Sequence, residues 1–257
     1  MEFRFLNTQA QVGAMNMAID EAVFESIATQ KSIPTLRLYG WAPPTISIGY
    51  FQSLEEEVDL DSCKKMGVDV VRRITGGGAV FHEHEITYSI HIPQSLNLVP
   101  TGVLESYEAI SQGVILGLKL LGVEAKFVPL NDLIVTQNEA QKKISGNAQT
   151  RKNGVILQHG TILLRVDVDK MFALLKVPDE KLKGKLIESI KARVTGLSDY
   201  LAREVTFEES LIAIQKGFAD AFPNVKFIEG ELTQEEKAST ELLTKEKYSN
   251  DIWNRKR

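Results

Sequence analysis

The arrangement of hydrophobic and polar positions along the chain predicts a mixture of strands and helices. Segment 85–93 alternates strictly, with apolar residues at positions 86, 88, 90 and 92, as is typical of a strand. Apolar residues recur every three or four positions in segments 15–27, 103–121 and 207–222, which predicts helices. The Asn153-Gly154 pair predicts a hairpin turn between strands around 143–150 and 155–166. Because the predicted strands come in clusters, the order favours an α+β fold with mixed or antiparallel sheets packed against helices.

Composition limits the kind of protein that this chain forms. Its 257 residues, with 43% hydrophobic and 25% charged, predict one globular domain over 1–257. The formal net charge of −4 offers no basic field for nucleic acid. Cys63 is the only cysteine, which fits a reducing, cytoplasmic location. No apolar stretch approaches the roughly 18 residues that span a membrane, so we expect no membrane association.

The segment Arg72–His82 is the first candidate for chemistry. Two arginines precede Gly76, Gly77 and Gly78, at the end of a β-branched run. Glycines allow a backbone to come close to a ligand and turn N–H groups toward an anion, and arginine binds carboxylate or phosphate with two hydrogen bonds. The segment predicts an anion-binding loop between two strands; a glycine-rich hairpin without a ligand is the alternative.

The segment Lys142–Gln149 is the second candidate. If it forms a regular strand, alternation places Lys143, Ser145, Asn147 and Gln149 on one face. A lysine followed by small polar residues suits a charged ligand, although lysine is also common in exposed edge strands. Asp132 upstream is a candidate to orient Lys143 or bind a metal, or a turn residue. The His159-Gly160 pair interrupts an apolar run and predicts a bulge or a buried structural histidine.

Taken in order, these segments resemble the lipoate-protein ligase family. The resemblance covers nearly the whole chain and rests on five motifs. They are Arg-Arg-x-Thr-Gly-Gly-Gly-Ala-Val-Phe-His at 72–82, Asn-Asp-Leu at 131–133, Lys-Ile-Ser-Gly-Asn-Ala at 143–148, His-Gly-Thr-Ile-Leu-Leu at 159–164 and Ala-Arg-Val-Thr-Gly-Leu at 192–197. The resemblance implies the α+β catalytic core that such ligases share with biotin ligases and octanoyltransferases.

The resemblance also implies an activity and a set of site residues. Family ligases join lipoate to ATP, with Mg²⁺, and pass the lipoyl group from lipoyl-AMP to a lysine of a carrier domain. Lys143 matches the catalytic lysine, whose fixed cation stabilises the developing anion. The implied ATP and adenylate contacts are Arg73, Gly78, Ala79, Val80, Phe81, Asp132, Lys143, Ser145, Gly146 and Asn147. The implied lipoate contacts are Arg72, Thr75, Gly76, Gly77, His82, His159 and Gly160.

The family contains ligases and transferases, and the cysteine content bears on the choice. Octanoyltransferases of the superfamily use a cysteine nucleophile, but segment 127–132 and the residues after Thr161, where they carry it, have none here. We therefore expect a ligase. The alternatives are an octanoyl or lipoyl transferase that uses acyl carrier protein as donor, and a non-catalytic lipoyl-AMP binding subunit.

The resemblance implies protein partners as well. Lipoyl domains of 2-oxoacid dehydrogenase complexes, or the glycine cleavage H protein, are the expected acceptors. Single-chain ligases continue into a further C-terminal domain, and this chain resembles the large subunit of a two-part ligase. We therefore expect a separate small accessory subunit.

Overall fold

Two β-sheets form the framework of the protein in the computed structural model, which describes residues 1–177 and 182–257. The larger sheet contains β1 (Glu2–Gln11), β2 (Thr35–Trp41), β6 (Glu85–Pro93), β7 (Ala125–Val128), β8 (Asp132–Gln137), β9 (Ala140–Lys152), β10 (Val155–Leu163) and β11 (Lys226–Glu229). The smaller sheet contains β3 (Thr45–Ile48), β4 (Asp69–Arg72) and β5 (Val80–His82). The strand orders are β11-β1-β2-β6-β10-β9-β8-β7 and β4-β3-β5. The predicted α+β class with mixed sheets is confirmed.

Helices pack against both sheets. They are α1 (Gly13–Ala28), α2 (Leu54–Glu57), α3 (Leu60–Met66), α4 (Val103–Leu120), α5 (Val168–Leu174), α6 (Lys183–Arg193), α7 (Leu197–Leu201), α8 (Phe207–Ala221), α9 (Gln234–Leu243) and α10 (Asp251–Asn254). Helices α4 and α8 bury one face of the sheet, and α1 packs on the other. Among the described residues, no helix has the length and apolar character needed to cross a bilayer.

Strand β6 shows how the alternating sequence is used at the centre of the larger sheet. Its apolar side chains, from Ile86 to Ile92, belong to the core that α4 and α8 cover. Its other side chains, Glu85, Thr87, Ser89 and His91, are polar but also buried. Buried polar groups require hydrogen-bond partners. This second face therefore supplies a polar network on the α1 side of the sheet.

The helix ends follow their sequence signals. Asp59 accepts a hydrogen bond from the Ser62 N–H at the start of α3, and Gly67 ends that helix with a φ of +64°. Thr233 and Glu236 form a complete capping box at the start of α9. Side-chain acceptors at these positions satisfy N–H groups that have no partner within the helix. Asn153 and Gly154, both with positive φ, form the predicted turn between β9 and β10.

The glycine-rich loop does not form a hairpin, so this part of the alternative interpretation was wrong. The loop connects β4 to β5, and β3 lies between these two strands, pairing in parallel with β4 and antiparallel with β5. Strand β5, which is short and precedes β6, was not predicted from the sequence. The loop therefore passes across the end of β3 instead of reversing the chain beside it.

Candidate active site

A cavity of about 410 Å³ opens where the two sheets face each other. The smaller sheet contributes β3, β5 and the glycine-rich loop to its walls, and the larger sheet contributes β6, β9 and β10. Met171 of α5, Ile190 of α6 and Val194 add apolar surface. A cavity of this size, mostly apolar with a few polar groups, is typical of a small-molecule site.

Arg73 shapes the glycine-rich loop at the cavity wall. Its Nη2 donates to the carbonyl oxygens of Gly76 and Gly78 at 2.8 and 2.7 Å. Its Nη1 donates to the carbonyl and hydroxyl oxygens of Ser47 at 3.0 and 3.1 Å. Burial lowers the pKa of Arg73 to about 10, so it remains a cation at neutral pH. Within the described part of the chain it has no carboxylate partner, and this uncompensated charge favours an anionic ligand.

Close backbone contact between β3 and the loop requires glycine. A Cβ atom on Gly49 would lie 2.0 Å from the Gly77 carbonyl oxygen, which no real contact allows. Gly77 itself has a φ of +96°, a conformation that side chains disfavour. The loop is therefore held in its shape both by its own backbone and by its contact with Gly49.

Arg72 was expected to bind lipoate, but the structure places it outside the cavity. Its guanidinium donates to backbone carbonyl oxygens on one side of β4, and the side chain is fully buried there. The acceptors are the carbonyl oxygens of Gly49, Tyr50, Gln52, Trp253 and Asn254. Because these five contacts occupy the guanidinium, Arg72 fixes the C-terminal segment to the smaller sheet.

Lys143 lies at the cavity in an ion pair. Its Nζ is 2.7 Å from Asp132 Oδ1, and the two side chains are 39% and 33% exposed. Gly146 makes room for the lysine, since a Cβ atom there would lie 2.7 Å from Nζ. Asp132 thus orients Lys143, which keeps its amino group at the cavity surface.

A bulge in β9 changes which residues accompany Lys143. In the register with β8, Ser145 lies opposite Leu133 and Lys143 opposite Ile134, so Ile144 has no partner position. The extra residue moves Gly146 and Ala148 to the side of Lys143, next to the cavity. The expectation that Ser145 shares this face was therefore wrong, because Ser145 is fully buried and does not line the cavity.

Asn147 joins the Asn131-Asp132 turn to the neighbouring strands. Its Nδ2 and its backbone N–H donate to the Asn131 carbonyl oxygen, each at 2.9 Å. Its Oδ1 accepts from the Tyr88 hydroxyl at 2.6 Å. Gly160 leaves the space for this amide, because a Cβ atom there would lie 2.0 Å from Asn147 Oδ1. These contacts position the turn that carries Asp132.

His159 connects the cavity to the polar network behind it. Its Nε2 lies 2.7 Å from the Thr75 hydroxyl, and its Nδ1 lies 3.5 Å from Asp20 Oδ2. Burial lowers the pKa of His159, so the ring is neutral at physiological pH. Burial alone would raise the pKa of Asp20, but the adjacent Arg37 guanidinium, 2.7 Å away, together with His159 and His91, more than offsets this and holds the pKa well below its usual range. The carboxylate is therefore ionised.

His82 is the centre of a second hydrogen-bonded series at the cavity wall. Its Nε2 is 2.8 Å from the Ser47 hydroxyl, and its Nδ1 is 2.7 Å from Glu85 Oε1. The Trp41 ring stacks on the imidazole at 4.0 Å between centroids. Ser47, Glu85 and Trp41 were not among the residues selected from the sequence. A polar residue between Ile46 and Ile48, and a glutamate in a buried strand, were the available signals.

Most of the residues selected from the sequence come together at this cavity. Those that line it are Arg73, Gly77, Gly78, Ala79, Val80, Phe81, His82, Lys143, Gly146, Asn147, His159 and Gly160. Asp132 contacts the cavity through Lys143, and Thr75 lies behind His159. Gly76 contributes to the site only through its carbonyl oxygen, which accepts a hydrogen bond from Arg73. The described residues contain no group of three or more His, Cys, Asp or Glu side chains placed to hold a metal ion.

Comparison with known proteins confirms the family that the sequence motifs resemble. Residues 13–219 match the family model of the lipoyl protein ligase A/B catalytic domain. Octanoyltransferase LipM of Clostridioides difficile is 40% identical over 271 residues, which cover 100% of this chain and 99% of that protein. The chain belongs to the lipoyl protein ligase A/B family, and is an enzyme of its ligase and transferase group.

Two solved structures of the family superimpose over almost the full chain. A bi-partite lipoate protein ligase from Thermoplasma acidophilum has a TM-score of 0.88 and 33% identity, covering 99% of this chain and 96% of that one. Lipoate-protein ligase A bound with ATP has a TM-score of 0.78 and 30% identity, covering 99% and 98%. The sequence relative carries a transferase name, whereas the two structures carry ligase names.

Proposed function

We propose that this protein transfers a lipoyl or octanoyl group from an acyl-adenylate, which it makes with ATP, to a lysine of a lipoyl carrier domain. The observation that carries the proposal is the pair of fixed cations at one cavity, Lys143 and Arg73. An adenylate combines an apolar acyl chain with an anionic phosphate. The apolar walls suit the chain, and the two cations suit the phosphate.

Lys143 is the residue we assign to the chemical step. Its ammonium group, which Asp132 contacts at 2.7 Å, would donate to both the acyl carbonyl oxygen and the phosphate. When the carbonyl carbon is attacked, negative charge develops on that oxygen, and a pre-positioned cation stabilises it. The bond from carbonyl carbon to phosphate oxygen breaks and AMP leaves; the acyl group ends in an amide bond to the acceptor lysine, whose amine gives up a proton to solvent. Magnesium remains a prediction: it would accompany the nucleotide phosphates, with Asp132 as the nearby carboxylate.

The position of the only cysteine supports an adenylate donor over a cysteine-bound acyl intermediate. Cys63 packs with Ile46 and Ile48 in a buried apolar cluster. These isoleucines alternate along β3 with Ser47, which lines the cavity, so Cys63 lies beyond the opposite face of the smaller sheet. Burial raises the pKa of the Cys63 thiol to about 11, which keeps it protonated at neutral pH. It is therefore unsuited to act as the nucleophile.

Octanoyl transfer from acyl carrier protein is the second candidate. The supporting observation is the name of the relatives, since octanoyltransferases LipM from several bacteria are 37–40% identical over nearly the whole chain. In this reaction the donor is a thioester, and ATP is not consumed.

For protein partners we propose a carrier domain and a second, small protein. The carrier would be a lipoyl domain of a 2-oxoacid dehydrogenase complex or the glycine cleavage H protein. The Thermoplasma acidophilum relative is one part of a bi-partite ligase that was studied with its E2 lipoyl domain. By that likeness, a separate accessory subunit would assist adenylate formation here.

A donor comparison tests the proposed function. The purified chain is incubated with a lipoyl domain and either lipoate, ATP and Mg²⁺, preformed lipoyl-AMP, or octanoyl acyl carrier protein. Intact-mass spectrometry of the domain and release of pyrophosphate are measured, with and without the accessory protein. We expect acylation from lipoyl-AMP, and from ATP with lipoate when the accessory protein is present. Acylation from octanoyl acyl carrier protein alone would reject the adenylate donor and establish the second candidate.

A further inference from the structure

Three side chains from β3, β5 and β6 form an unbroken hydrogen-bonded series at the cavity. Ser47 Oγ lies 2.8 Å from His82 Nε2, and His82 Nδ1 lies 2.7 Å from Glu85 Oε1. All three residues line the cavity, although none is more than 4% exposed. A hydroxyl, an imidazole and a carboxylate in this order are the components of a nucleophile, its base and the group that orients the base.

The surrounding hydrogen bonds fix the direction of each proton. Arg73 Nη1 donates to Ser47 Oγ at 3.1 Å, so the serine keeps its own hydrogen for His82. The Thr87 hydroxyl donates to Glu85 Oε1 at 2.7 Å, as is appropriate for an ionised carboxylate. All of these hydrogen bonds form at once when His82 is neutral and carries its proton on Nδ1. Its Nε2 then accepts the hydrogen of the Ser47 hydroxyl.

The environment also stabilises the charges that a reacting serine would create. The buried Arg73 cation contacts the oxygen that becomes anionic. Glu85 Oε2 is buried and has no hydrogen-bond partner in the described part of the chain, so its charge is available to an imidazolium. Trp41 stacks on His82 with 16° between the rings, and its Nε1 donates to Thr87 at 2.8 Å, which holds the imidazole in place.

We propose that Ser47 is a nucleophile that carries the acyl group as an ester during transfer. Ser47 Oγ attacks the acyl carbonyl carbon, and His82 Nε2 takes the hydroxyl proton. The carbon–oxygen bond of an adenylate, or the carbon–sulfur bond of a thioester, breaks as the Oγ–carbon bond forms. A thiol leaves with the proton from His82, whereas AMP leaves as a phosphate anion and the proton passes to solvent, so His82 is neutral again in either case. The acceptor amine then attacks the ester, its proton passes to His82, and the proton returns to Oγ. This inference goes beyond the proposed function, because either donor can load the serine.

The second histidine of the cavity does not provide an equivalent nucleophile. Thr75 is hydrogen-bonded to His159 in a similar way, but the threonine does not line the cavity. The gap between His159 Nδ1 and the carboxylate of Asp20 is also longer, at 3.5 Å. Ser47 is therefore the hydroxyl that combines access to a bound acyl group with a fully hydrogen-bonded base.

An octyl fluorophosphonate tests this inference without ATP, acyl donor or carrier domain. The reagent forms an Oγ–phosphorus bond with an activated serine, and fluoride leaves. Intact-mass spectrometry of the full chain, followed by peptide mapping, should show one adduct on Ser47. His82→Gln should slow labelling on the order of 10²–10⁴-fold, since it removes the base. Ser111→Ala is the matched control, because this buried serine of α4 is remote from the series and should not affect labelling.

The serine variants complete the experiment. Ser47→Ala should give no adduct and lose carrier acylation while keeping the wild-type melting temperature. Ser47→Cys should retain the nucleophile and accumulate a hydroxylamine-sensitive acyl adduct when given lipoyl-AMP. An unlabelled wild-type chain, an adduct on Thr75, or a folded Ser47→Ala with wild-type acylation would overturn the inference. Labelling of Ser47 by a chain that acylates no carrier would instead contradict the proposed function alone.

Discussion

Lys143 differs from its neighbour Lys142 in what its ammonium group contacts. Lys143 forms the ion pair with Asp132 at the cavity, whereas Lys142 lies opposite Val135 in the sheet and does not line the cavity. We expect Lys143→Ala to lower the rate of carrier acylation on the order of 10²–10³-fold, because a fixed donor at a developing anion is lost. Lys142→Ala, the matched control, should keep the wild-type rate. Single-turnover acylation from lipoyl-AMP measures both; equal rates for the two variants would contradict the role of Lys143.

His91 makes the stability of the protein depend on pH. Burial lowers its pKa from 6.5 to about 4, although the nearby Asp20 carboxylate partly opposes this. Below pH 6.5 the unfolded chain takes up a proton that the folded chain excludes, so the free energy of unfolding falls until the pH reaches about 4. The loss from this group is on the order of 3 kcal/mol. Burial also lowers the pKa of His159, which adds to the same trend.

Urea unfolding between pH 7.5 and 4 tests this dependence. His91→Gln should be less stable at neutral pH but should lose less stability on acidification, because the titrating group is gone. His84→Gln removes a half-exposed histidine and should keep the wild-type slope. An unchanged slope in His91→Gln would show that other groups cause the acid sensitivity.

Arg72 and Arg73 show how far residue types alone can predict a site. Both arginines precede the glycines, and the sequence indicated an anion site at this loop but could not separate their roles. Successive residues of a strand point to opposite faces, so one arginine faces the cavity and the other the C-terminal segment. The partners that decide between them, Gly49 and Asn254, are 23 and 182 positions away from Arg72 in the chain. Such contacts are not visible in a local pattern.

Strand β9 shows the same limit for a whole element. Its existence and its turn to β10 were predicted from alternation and from the Asn153-Gly154 pair. The bulge at Ile144 was not, because it depends on how β9 pairs with β8. One extra residue was enough to move Ser145 away from Lys143 and to bring Gly146 beside it. The sequence thus predicted which segments form the site, but not which of their side chains line the cavity.

The contact between the end of β3 and the glycine-rich loop leads to a further prediction. In Gly49→Ala, the new methyl group would overlap the Gly77 carbonyl, so the loop must move. We expect a loss of about 1–3 kcal/mol in the free energy of unfolding, as in other overpacked sites, and at least tenfold slower acylation. Gly76→Ala is the control for stability, because its Cβ atom would meet nothing within 4 Å and its φ is not positive. Chemical denaturation and single-turnover rates would measure the two effects, and a wild-type Gly49→Ala would contradict the packing argument.

The site as a whole depends on the packing of one sheet against the other. Lys143 and His159 come from the larger sheet, whereas Ser47, Arg73 and His82 come from the smaller sheet and its loop. The family motifs therefore lie far apart in sequence but meet across one cavity. Hydrophobic periodicity predicted the layers of the fold. The polar series from Ser47 to Glu85 was missed because its members are ordinary residues of three different strands.

A ligand that spans both sheets should stabilise the whole molecule, and this gives the final prediction. A non-hydrolysable sulfamoyl analogue of octanoyl-AMP would contact Lys143 on one side and the Arg73 loop on the other. At a hundred times its dissociation constant it would add about 2.7 kcal/mol to the free energy of unfolding. For a chain of this length, that corresponds to a rise in melting temperature of roughly 5–10 °C. Octanoate or AMP alone, each filling part of the cavity, should give smaller shifts, and Lys143→Ala should reduce the shift from the analogue. If the analogue stabilises the protein no more than octanoate does, the cavity does not recognise an adenylate, and a thioester is the donor to test next.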